Sequence, residues 1–340
     1  MTRKQVAKLI ESKSILQAPM AGITTPELVS EVSIQGEIGN IGAGYLAIQS
    51  LAQFIQTVKS KTNKVFGVNL FVPEETQVNE EAVKKAKEKI KEITPVYSKD
   101  LPDEIKNENI FKEQINLVIK EEVPLVSFTF GLPSSKVIEQ LKNADIYVIG
   151  TATSVEEALE VEKAGCDAVV AQGSEAGGHR GTFLGDDSLI GLMSLIPQVE
   201  DAVKIPIIAS GGIMDSRGVK AAYCLGASSV QLGSAFLMTE ECSADEVHKT
   251  AILNSIETDV VLTKAFSGKL ARGIKNDFIK SYKDNSEEIL TYPYQNSLTN
   301  NLRNLAKKNK DKEFMSLWSG QSVRLSKKQS VEELLKELKK

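Results

Sequence analysis

The stretch DAVVAQGSEAGGHRG, residues 167–181, joins a short apolar run to a glycine-rich turn that carries a histidine. The run 167–172 is too short for a stable helix and apolar enough for a strand buried on both faces. Working outward, the same kind of run recurs as SILQA (14–18), IGNIG (38–42), KVFGVNL (64–70), PLVSFTF (124–130), DIYVIGT (145–151), PIIAS (206–210) and SVQLG (229–233). Longer amphipathic segments separate them, among them TPELVSEVSIQ, SVEEALEVEKAG, SRGVKAAYCLGA and an apolar stretch near 189–203. Parallel strands need such crossover connections, so the alternation predicts βαβ units. Eight units in succession predict a closed (β/α)8 TIM barrel rather than a doubly wound open sheet.

The remaining segments decorate that barrel within one domain, 1–340. RKQVAKLIES (3–12) has helical spacing of Val6, Leu9 and Ile10 and reads as a capping helix. Residues 73–122 replace a simple strand–helix–strand link. They hold the Lys/Glu helix EEAVKKAKEKIKEI, with a solvated face, and a second polar helix. A long insertion at that end of a barrel is expected to form a cap over the site. Residues 240–340 read as a polar helical extension ending in VEELLKELKK.

Composition excludes several function classes. A net charge of −4 over 340 residues gives no basis for binding nucleic acid or an anionic membrane. Cys166, Cys224 and Cys242 are scattered, with no metal-ligand spacing, which fits a reducing compartment and no metal site. Charges interrupt the apolar positions near the N-terminus, and no apolar run approaches membrane-spanning length. A cytoplasmic protein is expected.

In barrels of this class, chemistry sits where strands end and loops begin. Several predicted strands end in PMAG (19–22), GAG (42–44), Asn69, QGSEAGGHRG (172–181), SGGI (210–213) and QLGSA (231–235). Glycine lets backbone N–H groups approach an anion, and the turns after the seventh and eighth predicted strands are the fold's usual phosphate grip. His179 is placed on a loop of that face and suits proton transfer near neutral pH. Its neighbours Glu175 and Arg180 could orient a ring or substrate, or brace the loop. His248, in ADEVHKTAI, reads as a surface residue on a polar helix. With no nucleophile triad, Walker loop or metal cluster, the chemistry points to a bound cofactor.

At these residues the chain resembles the nitronate monooxygenase family, bacterial class I. The resemblance is carried by QAPMAG (17–22), IGAGY (41–45), FGVNLFVP (66–73), FTFG (128–131), AQGSEAGGHRG (171–181), ASGGIMD (209–215), VQLGSAFL (230–237), KAFSGKLARGIKN (264–276) and WSGQS (318–322). It implies an FMN barrel with a helical cap. Asn69, Gln172, Gly177, Gly211, Gly212, Gln231, Leu232, Gly233 and Ser234 match FMN-contacting positions, and His179 matches the catalytic histidine. PMAG is expected to border the flavin ring and WSGQS to close over it. One departure is GEIG with Glu37, where the family often has GGLG. The implied reaction is oxidation of an alkyl nitronate such as propionate 3-nitronate by O2 to a carbonyl compound and nitrite. Two alternatives stay open: an FMN- and NAD(P)H-dependent enoyl-ACP reductase, which shares the EAGGH turn, and a flavin-binding protein without this catalysis.

Overall fold

A computed structural model describes residues 2–74, 76–102, 105, 109–185, 188–282 and 286–340. Eleven strands occur among them: β1 (Ile15–Gln17), β2 (Gly39–Gly42), β3 (Phe66–Phe71), β4 (Leu125–Thr129), β5 (Tyr147–Ala152), β6 (Ala168–Gln172), β7 (Gly178–His179), β8 (Ile207–Ser210), β9 (Ser229–Leu232), β10 (Val260–Thr263) and β11 (Ala271–Ile274). Eight of them form one parallel sheet in the order β1-β9-β8-β6-β5-β4-β3-β2. The ends of that order meet through a parallel Leu16–Ile38 bridge, which closes the barrel. Each barrel strand falls on a run read from the sequence.

The closing seam is narrow and gets help from side chains. Gln17 N donates to Ile38 O (2.9 Å) and Ile38 N to Ile15 O (3.1 Å). The Gln17 side-chain oxygen accepts from Asn40 N (2.9 Å), and Asn40 Nδ2 donates to Gln17 O (2.7 Å). On the other side of Asn40 only glycine fits: a Cβ at Gly67 would lie 2.1 Å from Asn40 Oδ1.

The barrel interior is filled by Leu16, Leu125, Ile149, Val170 and Ile208, with Val6 and Ile10 plugging the N-terminal end. These two come from the helix Arg3–Glu11, which Thr2 and Gln5 cap reciprocally. Outside, Leu51, Ile55, Val118, Ile138, Val161 and Leu195 pack the helical layer onto the strands. Together these shells form the two-layer burial that a parallel sheet requires.

Glu37 has a structural use at the seam. Its buried carboxylate accepts from Ile15 N, the first residue of β1, and pairs with Lys339 Nζ at 2.7 Å. Lys339 follows the helix Val331–Leu338, so the C-terminus is pinned to the barrel's first strand.

The region from 240 onward is not purely helical, which corrects that expectation. β10 and β11 form an antiparallel hairpin, and β7 adds to its edge, with Ala271 opposite His179 and Arg272 opposite Gly178. The signal was present in the sequence: VVLT is β-branched, and the turn after it contains Gly268 at φ +81°.

Within 73–122 lie the helices Glu80–Ile93 and Phe111–Lys120. The first buries Ala86 and Ile90 in the cluster that also contains Leu302 and Ala306 of the C-terminal region. Tyr97 extends this contact, donating its hydroxyl to Asp311 (3.0 Å).

Replacing Glu37 with alanine leaves the Ile15 amide without its acceptor and should cost about 1–3 kcal/mol. Lys339→Ala removes only a half-exposed partner and should cost less than about 1 kcal/mol. Denaturant unfolding of both variants checks this, and equal losses would contradict the assigned role.

Candidate active site

The C-terminal ends of the barrel strands enclose one cavity. Asn69, Gln172, Gly177, His179, Gly211, Gly212, Gln231, Leu232, Gly233 and Ser234 all line it, as do Met20 and Ala21 of PMAG. Among the described residues, none of 73–122 lines it; besides the barrel turns, the wall is built by Tyr45, His248, Trp318, Gly320 and Ser322. The insertion bears on the site at one remove. Glu74 ion-pairs with Lys269, and the Thr76 hydroxyl donates to Tyr292 O (3.0 Å).

Much of the wall is bare backbone. Gly211 and Gly212 have φ of +123° and +70°, conformations that L residues rarely adopt. A Cβ at Gly233 would meet only Ala18 Cβ at 3.6 Å. The turns after β8 and β9 therefore present main chain to whatever occupies the cavity, as a phosphate grip requires.

The two amide side chains are largely committed to the protein. Asn69 Nδ2 donates to Ser127 Oγ (2.9 Å) and Thr129 Oγ1 (3.1 Å), and its oxygen accepts a long bond from the Thr129 hydroxyl (3.5 Å), with a second lone pair able to accept from a ligand. Gln172 ties the following turn to itself, donating to His179 O (3.1 Å) and accepting from Gly181 N (2.8 Å). One of its two amide hydrogens remains for a ligand.

His179 is not on a free loop, as expected from the sequence, but in β7 on the edge of the hairpin sheet. Its ring is walled by Phe130, Trp318 and Tyr292, with centroids at 5.7, 5.4 and 6.5 Å. Phe130 reaches this position with φ +70°, a strained conformation for a bulky residue and one that concentrates at functional sites.

Nε2 of His179 lies 2.8 Å from Ser267 Oγ. The Ser267 hydroxyl is also 3.1 Å from Lys269 O. If the hydroxyl gives its proton to that carbonyl, Nε2–H donates to Oγ and Nδ1 keeps the free lone pair. If it gives the proton to Nε2, Nδ1 carries the hydrogen. Ser267 supports an imidazole that either accepts a proton or donates to an anion.

Burial pushes the His179 pKa down to about 3, helped by the positive charges of Arg303 and Lys269. Lys269 lies 4.6 Å from the Phe130 ring centroid. Arg303 is fixed by Asn296 and Thr299 on its own helix, Tyr294–Lys308.

Glu175 and Arg180 brace the turn. Arg180, 1% exposed, donates to the carbonyls of Gln172, Gly173 and Ser188. Glu175 accepts from Leu192 N (2.9 Å). Glu157 does the same further on, accepting from Thr153, Phe183 and Leu184 amides.

His248 corrects a second expectation. It is 3% exposed, lines the cavity and lies 3.0 Å from Trp318 O. A carbonyl can only accept, so Nε2 carries the hydrogen. Burial lowers its pKa to about 4. Its helix, Glu246–Asn254, was read as polar because Glu246 and Lys249 flank the histidine, yet Lys249 is also buried, on Thr239 O.

Both histidines are thus neutral near pH 7. The unfolded chain takes up their protons near the ordinary value of 6.5 and the folded protein only near 3 and 4. Their stability contribution is complete above about pH 6.5 and is lost as pH falls through the folded values. The chain has two histidines, so NMR can follow each ring. Neither should titrate between about pH 5 and 8, and a ring titrating near 6.5 would contradict the geometry.

No group of three or more His, Cys, Asp or Glu that could hold a metal occurs among the described residues, and no helix there is long and apolar enough to cross a membrane.

Comparison with known proteins identifies the family of the chain. Residues 3–340 match the family model for nitronate monooxygenase. A probable nitronate monooxygenase of Staphylococcus haemolyticus is 50% identical over 329 residues, covering 95% of this chain and 92% of that protein. One from Staphylococcus aureus is 49% identical over 316 residues, covering 92% and 89%. Among solved structures, nitroalkane oxidase from Streptomyces ansochromogenes superposes with a TM-score of 0.89 at 37% identity, covering 96% of this chain and 94% of that one. FabK from Thermotoga maritima gives a TM-score of 0.77 at 30% identity, covering 100% and 96%. The chain belongs to the nitronate monooxygenase family and is an oxidoreductase of that class.

Proposed function

We propose that this protein is an FMN-dependent nitronate monooxygenase that converts alkyl nitronates, such as propionate 3-nitronate, with O2 to a carbonyl compound and nitrite. The observation that carries the reading is the arrangement at His179: a ring lining the cavity, kept neutral first by burial and then by the positive charges of Arg303 and Lys269. Burial opposes charge of either sign, but the two cations favour an anion beside the ring, and a nitronate is one.

The residues present fit FMN. The backbone of Gly211, Gly212 and Gly233, which carries no side chain of its own, and the Ser234 hydroxyl would hold its phosphate. Asn69, through the second lone pair of its oxygen, and Gln172, through its second amide hydrogen, would meet the polar edge of its ring. When bound, FMN supplies the electron transfer and oxygen chemistry that protein side chains lack.

The protein's own work is placement and one proton. His179, steadied by Ser267, would donate to a nitronate oxygen, or take the α-proton of a neutral nitroalkane. A value near 3 makes the ring a weak base, which favours substrates that arrive already ionised. The aromatic wall of Phe71, Phe130 and Trp318 limits water around the reacting carbon. The lower likeness to FabK, on both identity and TM-score, supports this reading over an enoyl reductase.

His179→Asn should keep fold and flavin while the rate of nitrite release falls about 10²–10⁴-fold on neutral nitroalkanes. On nitronates supplied as the anion the loss should be smaller. Nitrite assays on both substrate forms check this, and undiminished release on both would remove His179 from the reaction.

A further inference from the structure

His248 is a buried histidine that the proposed chemistry does not use, yet it stands in the wall of the same cavity. Its one hydrogen bond runs to the carbonyl of Trp318 (3.0 Å). From that point each successive residue is tied to a different part of the site. Ser319 N donates to Arg272 O (3.3 Å). Gly320 N donates to Ser234 Oγ (2.9 Å). Gln321 N donates to Glu175 O (3.0 Å), and Ser322 Oγ to Gly212 O (2.9 Å).

Two of those ties end on the turns after β8 and β9. Gly320 N–H occupies an acceptor position of Ser234 Oγ, which leaves the hydroxyl proton to point at an anion. Ser322 holds the carbonyl of Gly212 and so fixes the orientation of that peptide in the turn after β8, where glycine alone would leave it free to rotate. The approach is close: a Cβ at Gly177 would lie 2.5 Å from Gly320 N.

We propose that residues Trp318–Ser322 form a clasp over the phosphate side of the cavity, that His248 is the positioning residue that latches it, and that the latch sets how tightly FMN is held over flavins lacking phosphate. The inference rests on the FMN reading above. The latch works through the clasp: without the His248 donor, the Trp318 carbonyl loses its partner, the strand of contacts loosens, and Ser234 and Gly212 lose their outside support. The ring-binding groups Asn69 and Gln172 are on other strands and are left as they were.

The test titrates the full-length protein with FMN and with riboflavin, which has the same ring and no phosphate, following flavin fluorescence. The single tryptophan, Trp318, gives a second signal, since its emission should be quenched when flavin enters. Wild type should bind FMN more tightly than riboflavin. In His248→Leu and Ser322→Ala, FMN affinity should fall roughly three- to tenfold, the value of one or two hydrogen bonds, while riboflavin affinity stays put. His248→Gln, whose amide can reach the same carbonyl, should retain the FMN preference. A parallel loss of both flavins would mean that His248 only stabilises the fold, and unchanged affinity for both would mean that the clasp does not act on the phosphate; either result overturns the proposal. A wild-type protein that binds FMN no better than riboflavin overturns the FMN phosphate assignment itself, and the clasp with it.

Discussion

Barrel closure depends on the seam where β1 meets β2, and the active site depends on barrel closure. The seam contains one backbone bridge, Leu16–Ile38, and two bonds that Asn40 donates to Gln17. Without it the sheet would be open, and the turns after β2 and β3, with Tyr45 and Asn69, would not be held against the turn after β1 to close one cavity. Glu37 secures the start of β1, and Lys339 ties the end of the chain to the same carboxylate. The departure of GEIG from the family's glycine-rich turn therefore places a structural anion at the foot of the barrel, away from the cavity.

The second dependence runs through the C-terminal third. β11 pairs with β7, so the strand that carries His179 is held by residues nearly a hundred positions later. Ser267, Lys269 and Arg303 come from the same third, as do Trp318 and Ser322. The barrel supplies the amides, most of the glycines and Phe71 and Phe130, and the C-terminal region supplies the charge and the rest of the aromatic wall, Trp318 and Tyr292. Depression of the His179 pKa follows from that division, because burial and both cations come with the packing of the later segments.

The sequence made the barrel legible because each strand is a short apolar run between helical patterns, and its period needs no tertiary information. The glycine turns were legible too, since positive φ leaves few other residues to choose from. His248 was not. A histidine between Asp245, Glu246 and Lys249 reads as solvated, and only the packing of Trp318 against its helix shows that it is buried. His179 was read as a loop residue because β7 is two residues long and its partner strand is remote. Arg303 carried no local signal, as its effect on His179 acts across space from a helix that reads as an ordinary surface one. The insertion 73–122 illustrates the same limit: its helices were legible, but its docking on the C-terminal region was not.

The proposed reaction is oxidation of an anionic nitronate by oxygen without a nicotinamide reductant. An oxygen electrode tests it directly, with the purified flavin-loaded protein, propionate 3-nitronate, and NADH present or absent. The account predicts oxygen uptake with nitrite release at the same rate in both conditions, and no NADH oxidation when an enoyl thioester replaces the nitronate. Oxygen uptake that requires NADH, or NADH consumption driven by the enoyl thioester with none by nitronate, would contradict it.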